Sequence, residues 1–507
     1  MTGKNTNRTT HPVAARLSRR GAIGLLLGGV AQAAFGEPVV RSPLPLARPT
    51  GLGLRAIPDG DQIVDEAGLS GAVSYALADV ATGAVLEMHD PLRQLPPASV
   101  AKAMTALYAL ETLGPEYRFS TRVLATGPVV EGVVQGDVIL AGGGDPTLDT
   151  DMLAGLAKSV VDAGVHGVTG RFLVWDGELP RIQEIDATQT EYAGYNPTIS
   201  GLNLNYNRVH FEWKRGSDGY SVKMDARAQA HAPDVRIARM VISDRAVPVF
   251  DHEPGESVDR WSVARGALGN GGARWLPVRL PALYAGEVFV ALCGAQSLRL
   301  PRAERVSDLP EAKDLARHDS PPLTHMLRDM LKYSTNLTAE VIGIAASHAR
   351  GGRITSLEAS ARRMNAWARV RLGMRHMSFV DHSGLGGASE VSVADMVKML
   401  SAQGVEAQLA PILKPIPVYD LDGNALDPPV SVVAKTGTLD FVSTLAGYVT
   451  APGGKRMAFA IFAGDEATRA AAKANGAEVP RGAKTYNTRA KRMQQALLRR
   501  WGAYYAL

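Results

Sequence analysis

Two β-hairpin patterns, one towards each end of the chain, place the strongest limit on its fold. Residues 71–90, GAVSYALADVATGAVLEMHD, alternate apolar and polar side chains around a threonine-glycine turn. Residues 443–465, STLAGYVTAPGGKRMAFAIFAGD, form a second hairpin pattern around a proline-glycine-glycine turn. Helical patterns follow both hairpins. This order predicts an α+β fold in which strands from both chain ends form one antiparallel sheet, flanked by helices.

The middle of the chain has a different secondary-structure pattern. A length of 507 residues exceeds what one core usually supports, so two or three domains are expected. Short strand patterns and glycine-rich turns dominate residues 119–304, interrupted by one helical stretch at 148–165. We therefore predict a β-rich insertion of one or two subdomains at 119–304, between two parts of the main domain at 37–118 and 305–507.

The first 36 residues have the layout of a signal peptide. Basic residues precede an apolar stretch over residues 21–34, which ends in small side chains. That stretch is shorter than the about 20 apolar residues that a membrane-spanning helix needs. The triplet Ser18-Arg19-Arg20 also resembles a twin-arginine export signal. We expect the mature chain to be exported to the periplasm.

An apolar helix is predicted within residues 95–114, LPPASVAKAMTALYALETLG, and its first turn carries Ser99 and Lys102. Residues three apart lie on one helix face, so the lysine amine can reach the serine hydroxyl. An alcohol becomes a good nucleophile when a nearby base takes its proton. A lysine of pKa about 10.4 is protonated at pH 7, so this role requires burial and a second cation to lower the pKa of Lys102.

A Ser-x-x-Lys pattern alone is weak evidence, because about one is expected by chance in a chain this long. By itself it indicates only a helix start with an exposed lysine. Two further motifs accompany it. Ser334-x-Asn336 lies between two helical segments, and Lys435-Thr436-Gly437 ends an apolar strand. Each pattern occurs once, in this order along the chain.

Together these motifs resemble those of the penicillin-recognising serine acyl-enzymes, S-x-x-K, S-D-N and K-T-G. With the segments GGGDPTLD (142–149) and PTISGLNLNYNRV (197–209) and the long insertion, the chain is similar to the class C low-molecular-mass penicillin-binding proteins. The resemblance implies a transpeptidase-like domain and D-alanyl-D-alanine carboxypeptidase/endopeptidase activity. Two residues depart from the pattern: Thr335 replaces aspartate, and His382 in DHSGLGG replaces glycine. We expect His382 to lie in a surface loop.

The resemblance also implies catalytic roles. Ser99 would be the acylated nucleophile and Lys102 its base. Ser334 would relay a proton to the leaving amine, while Asn336 would hold the backbone amide of the substrate. Lys435 would supply the second cation beside Lys102.

Substrate binding would fall to the strand that carries the third motif. By the resemblance, Thr436 and Thr438 would bind the free carboxylate of the terminal D-alanine. The backbone N–H groups of Ser99 and Thr438 would form the oxyanion hole. Gly437 would leave the strand edge open to the substrate. No metal or cofactor is expected. The expected partners are peptidoglycan peptides and, as covalent inhibitors, β-lactam antibiotics.

Three alternatives remain open at this point. A β-lactamase shares the first chemical step, but no convincing Glu-x-x-x-Asn motif for a deacylating water follows the second motif, and a long insertion does not suit a compact drug-hydrolysing enzyme. A Ser-His-Asp hydrolase is disfavoured because Asp381, His382 and Ser383 are consecutive. A non-catalytic peptidoglycan-binding protein is disfavoured because every motif residue is present.

The net charge and the cysteine content further limit the classes of function that remain. The net charge of +5, with a pI near 9.1, comes without a dense basic and aromatic tract, so nucleic-acid binding is not expected. The basic residues 489–501 fit a solvated helix face, or at most peripheral contact with a membrane. Cys293, the single cysteine, is expected to be a small buried hydrophobe.

Overall fold

The computed structural model describes residues 57–427, 429–474 and 480–506. The predicted signal peptide and the start assigned to the main domain at residue 37 lie outside the described residues. Within the described ranges, no helix is long and apolar enough to cross a membrane.

The α-helices are α1 (Gly60–Ala67), α2 (Ala101–Leu113), α3 (Thr150–Asp162), α4 (Pro281–Ala295), α5 (Leu323–Tyr333), α6 (Asn336–Gly351), α7 (Leu357–Arg371), α8 (Val393–Leu400), α9 (Val405–Leu409), α10 (Glu466–Ala474) and α11 (Ala483–Tyr504). Short 3₁₀ turns occur at Ala98–Val100, Asn205–Asn207, Arg265–Ala267 and Ala410–Ile412.

The strands are β1 (Ala72–Asp79), β2 (Val85–His89), β3 (Gln94–Leu95), β4 (Ser120–Ala125), β5 (Val129–Val130), β6 (Val133–Val134), β7 (Val138–Ala141), β8 (Gly167–Val168), β9 (Phe172–Trp175), β10 (Arg208–Gly216), β11 (Gly219–Asp225), β12 (Ala238–Ser243), β13 (Phe250–Glu253), β14 (Asp259–Ala264), β15 (Gly271–Pro277), β16 (Ala303–Val306), β17 (Lys313–Asp319), β18 (Met377–Ser378), β19 (Glu390–Ser392), β20 (Lys414–Pro415), β21 (Ser431–Leu439), β22 (Val442–Thr450) and β23 (Arg456–Gly464).

The main sheet joins the two ends of the chain, as the hairpin patterns predicted. Its order is β2-β1-β23-β22-β21-β20, and every pair is antiparallel. Successive residues of β23 belong to different cores. Ala460 packs with the helices of the main domain, whereas Phe459 and Ile461 pack with Ile63 of α1 and Trp501 of α11. The sheet is therefore buried between two helical layers.

The β-rich insertion is confirmed, but its C-terminal boundary was predicted too early. A mixed sheet in the order β16-β9-β7-β4-β17 forms its centre, and smaller sheets adjoin it. Strand β17 pairs antiparallel with β4 from Lys313↔Ala125 to Asp319↔Ser120. The sheet of the β-rich region therefore extends past residue 304 to Asp319. Strand β17 is mostly polar, so its sequence lacks the apolar alternation by which a strand is recognised.

Helix α4 lies in a region where we predicted strands. It is apolar on nearly every face because most of its residues are buried, so its sequence lacks the amphipathic period that marks a surface helix. Cys293 lies in this helix and is fully buried. Burial raises the pKa of its thiol to about 12, which fits the expected role as a hydrophobe.

The C-terminal helix α11 packs its apolar side against the sheet. Its basic residues bind the protein itself: Arg489 donates to the carbonyl of Ala67, and Arg500 forms an ion pair with Glu87 at 3.1 Å. The expected solvated face is therefore present only in part: Arg489, Lys491 and Arg492 are exposed, whereas the Arg500 side chain is largely buried. Membrane contact through this helix stays a prediction.

Candidate active site

The first motif lies where the helical layer meets the main sheet. Ser99 belongs to the 3₁₀ turn that leads into α2, and its side chain is partly accessible. Residues 100–109 are buried on every face of the helix because α2 passes through the centre of the helical core. Lys102 is therefore fully buried, and its amine must find polar partners inside the protein.

Lys102 finds three such partners. Its Nζ donates to Ser99 Oγ at 3.0 Å, to Asn336 Oδ1 at 2.8 Å and to the backbone carbonyl of Ser383 at 2.7 Å. These residues come from three separate segments of the chain. The buried amine thus connects the first motif, the second motif and the DHSGLGG loop in one hydrogen-bond network.

The second motif occupies the turn between α5 and α6. Ser334 ends α5 in the left-handed conformation, with φ of 62°. That reversal turns Ser334 towards β21 and lets Asn336 start α6 beside Lys102. Asn336 Nδ2 also donates to the carbonyl of Tyr195 at 2.9 Å, so the insertion reaches the edge of the cleft.

The third motif lies on β21, next to the second. Lys435 is 1% exposed, and its Nζ donates to Ser334 Oγ at 3.1 Å and to the carbonyl of Thr436 at 2.7 Å. In the described part of the chain, β20 pairs with β21 only at Val433 and Ala434. From Lys435 onward that edge of β21 pairs with no other strand among the described residues, while the turn that carries Ser99 packs on the face of the sheet against Gly437 and Thr444. An unpaired strand edge can accept an extended peptide.

Burial lowers the pKa values of both amines. It lowers the pKa of Lys102 to about 8, against the opposing effect of the Glu340 and Asp381 carboxyl groups. Burial also lowers the pKa of Lys435 to about 6, and the neighbouring Lys102 charge lowers it further. Because repulsion between two amines is mutual, a proton on one disfavours a proton on the other. The pair can therefore release protons near neutral pH, unlike solvent-exposed lysines.

A buried carboxyl pair beneath Lys102 was not anticipated from the sequence. Glu340 accepts from the backbone N–H groups of His382 and Ser383, and Asp381 accepts from those of Gly384 and Gly386. The two carboxyl groups hold the DHSGLGG loop so that its Ser383 carbonyl meets Lys102. Burial first, and repulsion from Asp381 second, raise the pKa of Glu340 to about 8.

His382 corrects an expectation, because it is completely buried rather than in a surface loop. Its Nε2 lies 2.7 Å from Ser360 Oγ, and its ring fills space that only a glycine at position 343 leaves open. Burial lowers the pKa of the imidazole to about 3. His382 is neutral, its Nε2 contacts Ser360 and its Nδ1 makes no hydrogen bond, so it does not form a Ser-His-Asp triad with Ser99.

Gly437 also differs from its expected role. A Cβ built at this position would lie 2.1 Å from Thr444 Oγ1, 2.7 Å from the Pro97 carbonyl and 3.0 Å from the Ala98 Cβ. The missing side chain therefore lets β21 approach the turn that carries Ser99. It does not open the cleft to substrate, because the position faces the protein interior.

Substitution of Gly437 by alanine is expected to separate β21 from the Ser99 turn. Overpacking of this kind typically costs about 1–3 kcal/mol, so both the urea midpoint and the rate of serine acylation should fall. The matched control is Gly155→Ala on α3, where a Cβ meets nothing within 4 Å. Normal stability and rate in Gly437→Ala would show that the close approach is unimportant.

Thr436 and Thr438 are both exposed and, two apart on β21, project from the same face of the strand. Thr438 lines an open cleft of about 360 Å³ together with Ser99, Ser334 and Asn336. The cleft thus contains a partly exposed alcohol with a buried amine of lowered pKa behind it. That arrangement supports nucleophilic attack by the serine.

Comparison with known proteins agrees with this geometry. Residues 60–481 match the model of the D-Ala-D-Ala carboxypeptidase 3 (S13) family. The chain belongs to that family. It is therefore a low-molecular-mass penicillin-binding protein and a serine-type carboxypeptidase, as the motifs predicted.

Individual relatives span most of the chain. It is 28% identical over 439 residues to a D-alanyl-D-alanine carboxypeptidase of Actinomadura sp. (strain R39), covering 80% of each chain. It is 24% identical over 391 residues to the D-alanyl-D-alanine carboxypeptidase DacB of Haemophilus influenzae, covering 72% of this chain and 79% of the relative. The crystal structure of penicillin binding protein 4 (dacB) from H. influenzae superposes with a TM-score of 0.67 at 17% identity, over 80% of this chain and 93% of that one. This superposition confirms the fold.

Proposed function

We propose that the chain removes the terminal D-alanine from peptidoglycan stem peptides, and cleaves D-alanyl crosslinks, through an acyl-enzyme on Ser99. The observation that carries the proposal is the Lys102 amine, which is buried and hydrogen-bonded to both Ser99 and Asn336. A buried amine with a lowered pKa is suited to accept the serine proton.

Acylation would proceed in balanced steps. Lys102 takes the Ser99 proton as Oγ bonds to the carbonyl carbon of the penultimate D-alanine. The resulting oxyanion would be held by the N–H groups of Ser99 and Thr438. Ser334, which is hydrogen-bonded to Lys435, would then relay the proton taken up by Lys102 to the leaving amine nitrogen, so the peptide bond breaks, D-alanine departs and Lys102 is neutral again. Water hydrolyses the acyl-enzyme and restores the Ser99 hydroxyl.

Substrate would lie along the free edge of β21. There the terminal carboxylate would meet Thr436 and Thr438, with the Lys435 amine close by. Asn336 would hold the backbone amide of the stem peptide. Both hydroxyl side chains are exposed on one face of the strand, which supports this placement. The catalytic groups suit both terminal trimming and crosslink cleavage, since these reactions differ only in the groups that surround the scissile bond.

The site of action is proposed to be outside the cytoplasm. A basic segment followed by a short apolar stretch at residues 21–34 supports export to the periplasm. The basic face of α11 could add weak electrostatic attraction to an anionic envelope surface.

Digestion of purified sacculi tests the proposed function directly. Mass spectrometry of the muropeptides is expected to show loss of the terminal alanine together with loss of crosslinked dimers. The control is the same digestion with Ser99→Ala protein, which should leave both species intact. Unchanged muropeptides after wild-type treatment would contradict the proposal.

β-Lactam turnover separates the proposal from the β-lactamase alternative. Penicillin is expected to acylate Ser99 and to leave slowly, because no glutamate motif for a deacylating water is recognisable in the sequence. Intact-protein mass spectrometry should detect one adduct that persists after free drug is removed. Rapid regeneration of free enzyme with stoichiometric excess of hydrolysed penicillin would instead favour the lactamase.

A further inference from the structure

A group of potential metal ligands lies in the insertion, among residues that do not line the catalytic cleft. His210 and Glu212 are two apart on β10, and Asp225 stands opposite His210 on β11. The three side chains therefore project from one face of the sheet. One ligand atom from each lies within 4.8 Å of the others.

Two atoms of this group are buried without a partner. His210 is 7% exposed and Asp225 is 0% exposed. His210 Nδ1 and Asp225 Oδ1 make no hydrogen bond, although they face each other at 3.7 Å. That separation is too long for a hydrogen bond. Buried polar atoms without hydrogen bonds are energetically costly. A group bound between His210 Nδ1 and Asp225 Oδ1 would remove this cost, and the separation of the two atoms leaves room for it.

The nearby cations occupy other atoms of the carboxylates. Arg227 Nη2 lies 2.9 Å from Asp225 Oδ2 and 3.1 Å from Glu212 Oε2. Lys223 Nζ lies 3.4 Å from the same Asp225 Oδ2 and 3.3 Å from Asp234. Arg227 and Lys223 thus partly balance the carboxylate charges and orient both groups, while Asp225 Oδ1 stays directed at His210. Hydrogen-bonded outer partners of this kind are usual around metal-binding carboxylates.

We propose that His210, Glu212 and Asp225 bind one divalent transition-metal cation in the inserted subdomain. An imidazole combined with two carboxylates favours zinc-like cations over magnesium or calcium, which prefer oxygen ligands alone. The small side chain of Ala273 stands opposite Glu212 on β15, which leaves space beside the group for water to complete the coordination. The ion would tie β10 to β11 and thereby stabilise the subdomain.

Zinc binding to the chelator-stripped, full-length protein tests this assignment. Calorimetric titration is expected to give one ion per chain, and zinc should raise the melting temperature. The Glu212 side chain is 48% exposed in the wild type, so the Glu212→Gln protein should fold normally. Its affinity for zinc should fall by at least about tenfold. His210→Gln should lose more. X-ray absorption of the zinc-loaded wild type should show one imidazole among oxygen ligands.

The matched control is His231→Gln. His231 pairs with Asp151 at 2.8 Å outside the proposed site. The zinc affinity of the His231→Gln protein should therefore equal that of the wild type. Penicillin acylation of each variant verifies folding separately and depends on Ser99, so a failure of the proposed function is distinguishable from a failure of the metal site. The assignment is wrong if the stripped wild type binds no stoichiometric zinc. It is equally wrong if Glu212→Gln and His210→Gln bind zinc as tightly as the wild type, because the ion would then sit elsewhere.

Discussion

Ser99→Ala protein is expected to form no penicillin adduct and to release no D-alanine from a pentapeptide substrate. The change removes only the hydroxyl that would become acylated. Lys102 keeps its hydrogen bonds to Asn336 Oδ1 and to the Ser383 carbonyl, so the surrounding network should persist. Loss of the nucleophile typically leaves only the residual rate due to binding and the oxyanion hole. Intact-protein mass spectrometry and a D-alanine release assay measure the two outcomes.

The matched control for this prediction is Ser159→Ala on the exposed side of α3. It should be acylated at the wild-type rate. Thermal unfolding of Ser99→Ala should resemble that of the wild type, which separates lost chemistry from lost structure. A stable penicillin adduct on Ser99→Ala protein would mean that another residue is the nucleophile, and the mechanism proposed for this cleft would fail.

The Ser99–Lys102 pair could be predicted because its two residues are close in sequence. Serine and lysine three apart need only one helical turn to meet. The remaining contacts were anticipated only through the family resemblance, since a sequence does not show that β21 and α5 converge. The role of Glu340 and Asp381 as a buried carboxyl pair was not predicted, because it depends on which backbone N–H groups they accept from.

The errors in the fold have physical causes as well. Helix α4 is buried on most faces, and burial removes the polar-apolar alternation by which a helix is recognised. Strand β17 is polar because it lies at the edge of its sheet. His382 was placed at the surface because histidine in a glycine-rich loop usually is. The sequence does not show that Gly343 on α6 lies beside His382 and leaves space for its ring. The burial of His382 therefore could not be predicted.

Replacement of Lys102 by methionine is expected to lower the rate of Ser99 acylation by about 10²–10⁴-fold, the usual contribution of a general base. The stronger expectation concerns pH. In the wild type the neutral amine is the active form, so the rate should rise with pH and level off above the lowered pKa of about 8. Methionine has no proton to lose in this range. The variant's profile should therefore lack that rise.

The wild-type rise has a defined physical origin, which the control isolates. Burial disfavours the ammonium form of Lys102. Lys158 on α3 is exposed to solvent and pairs with Asp162 at 2.7 Å, so it serves as a lysine without this burial. Lys158→Met should retain both the rate and the pH profile. Stopped-flow acylation by a chromogenic β-lactam between pH 6 and about 10 provides the comparison across the pKa range of shifted and ordinary lysines. If Lys102→Met keeps the wild-type rise, the titrating group is another residue, and Glu340, whose pKa is raised to about 8 by burial, becomes the group to test next.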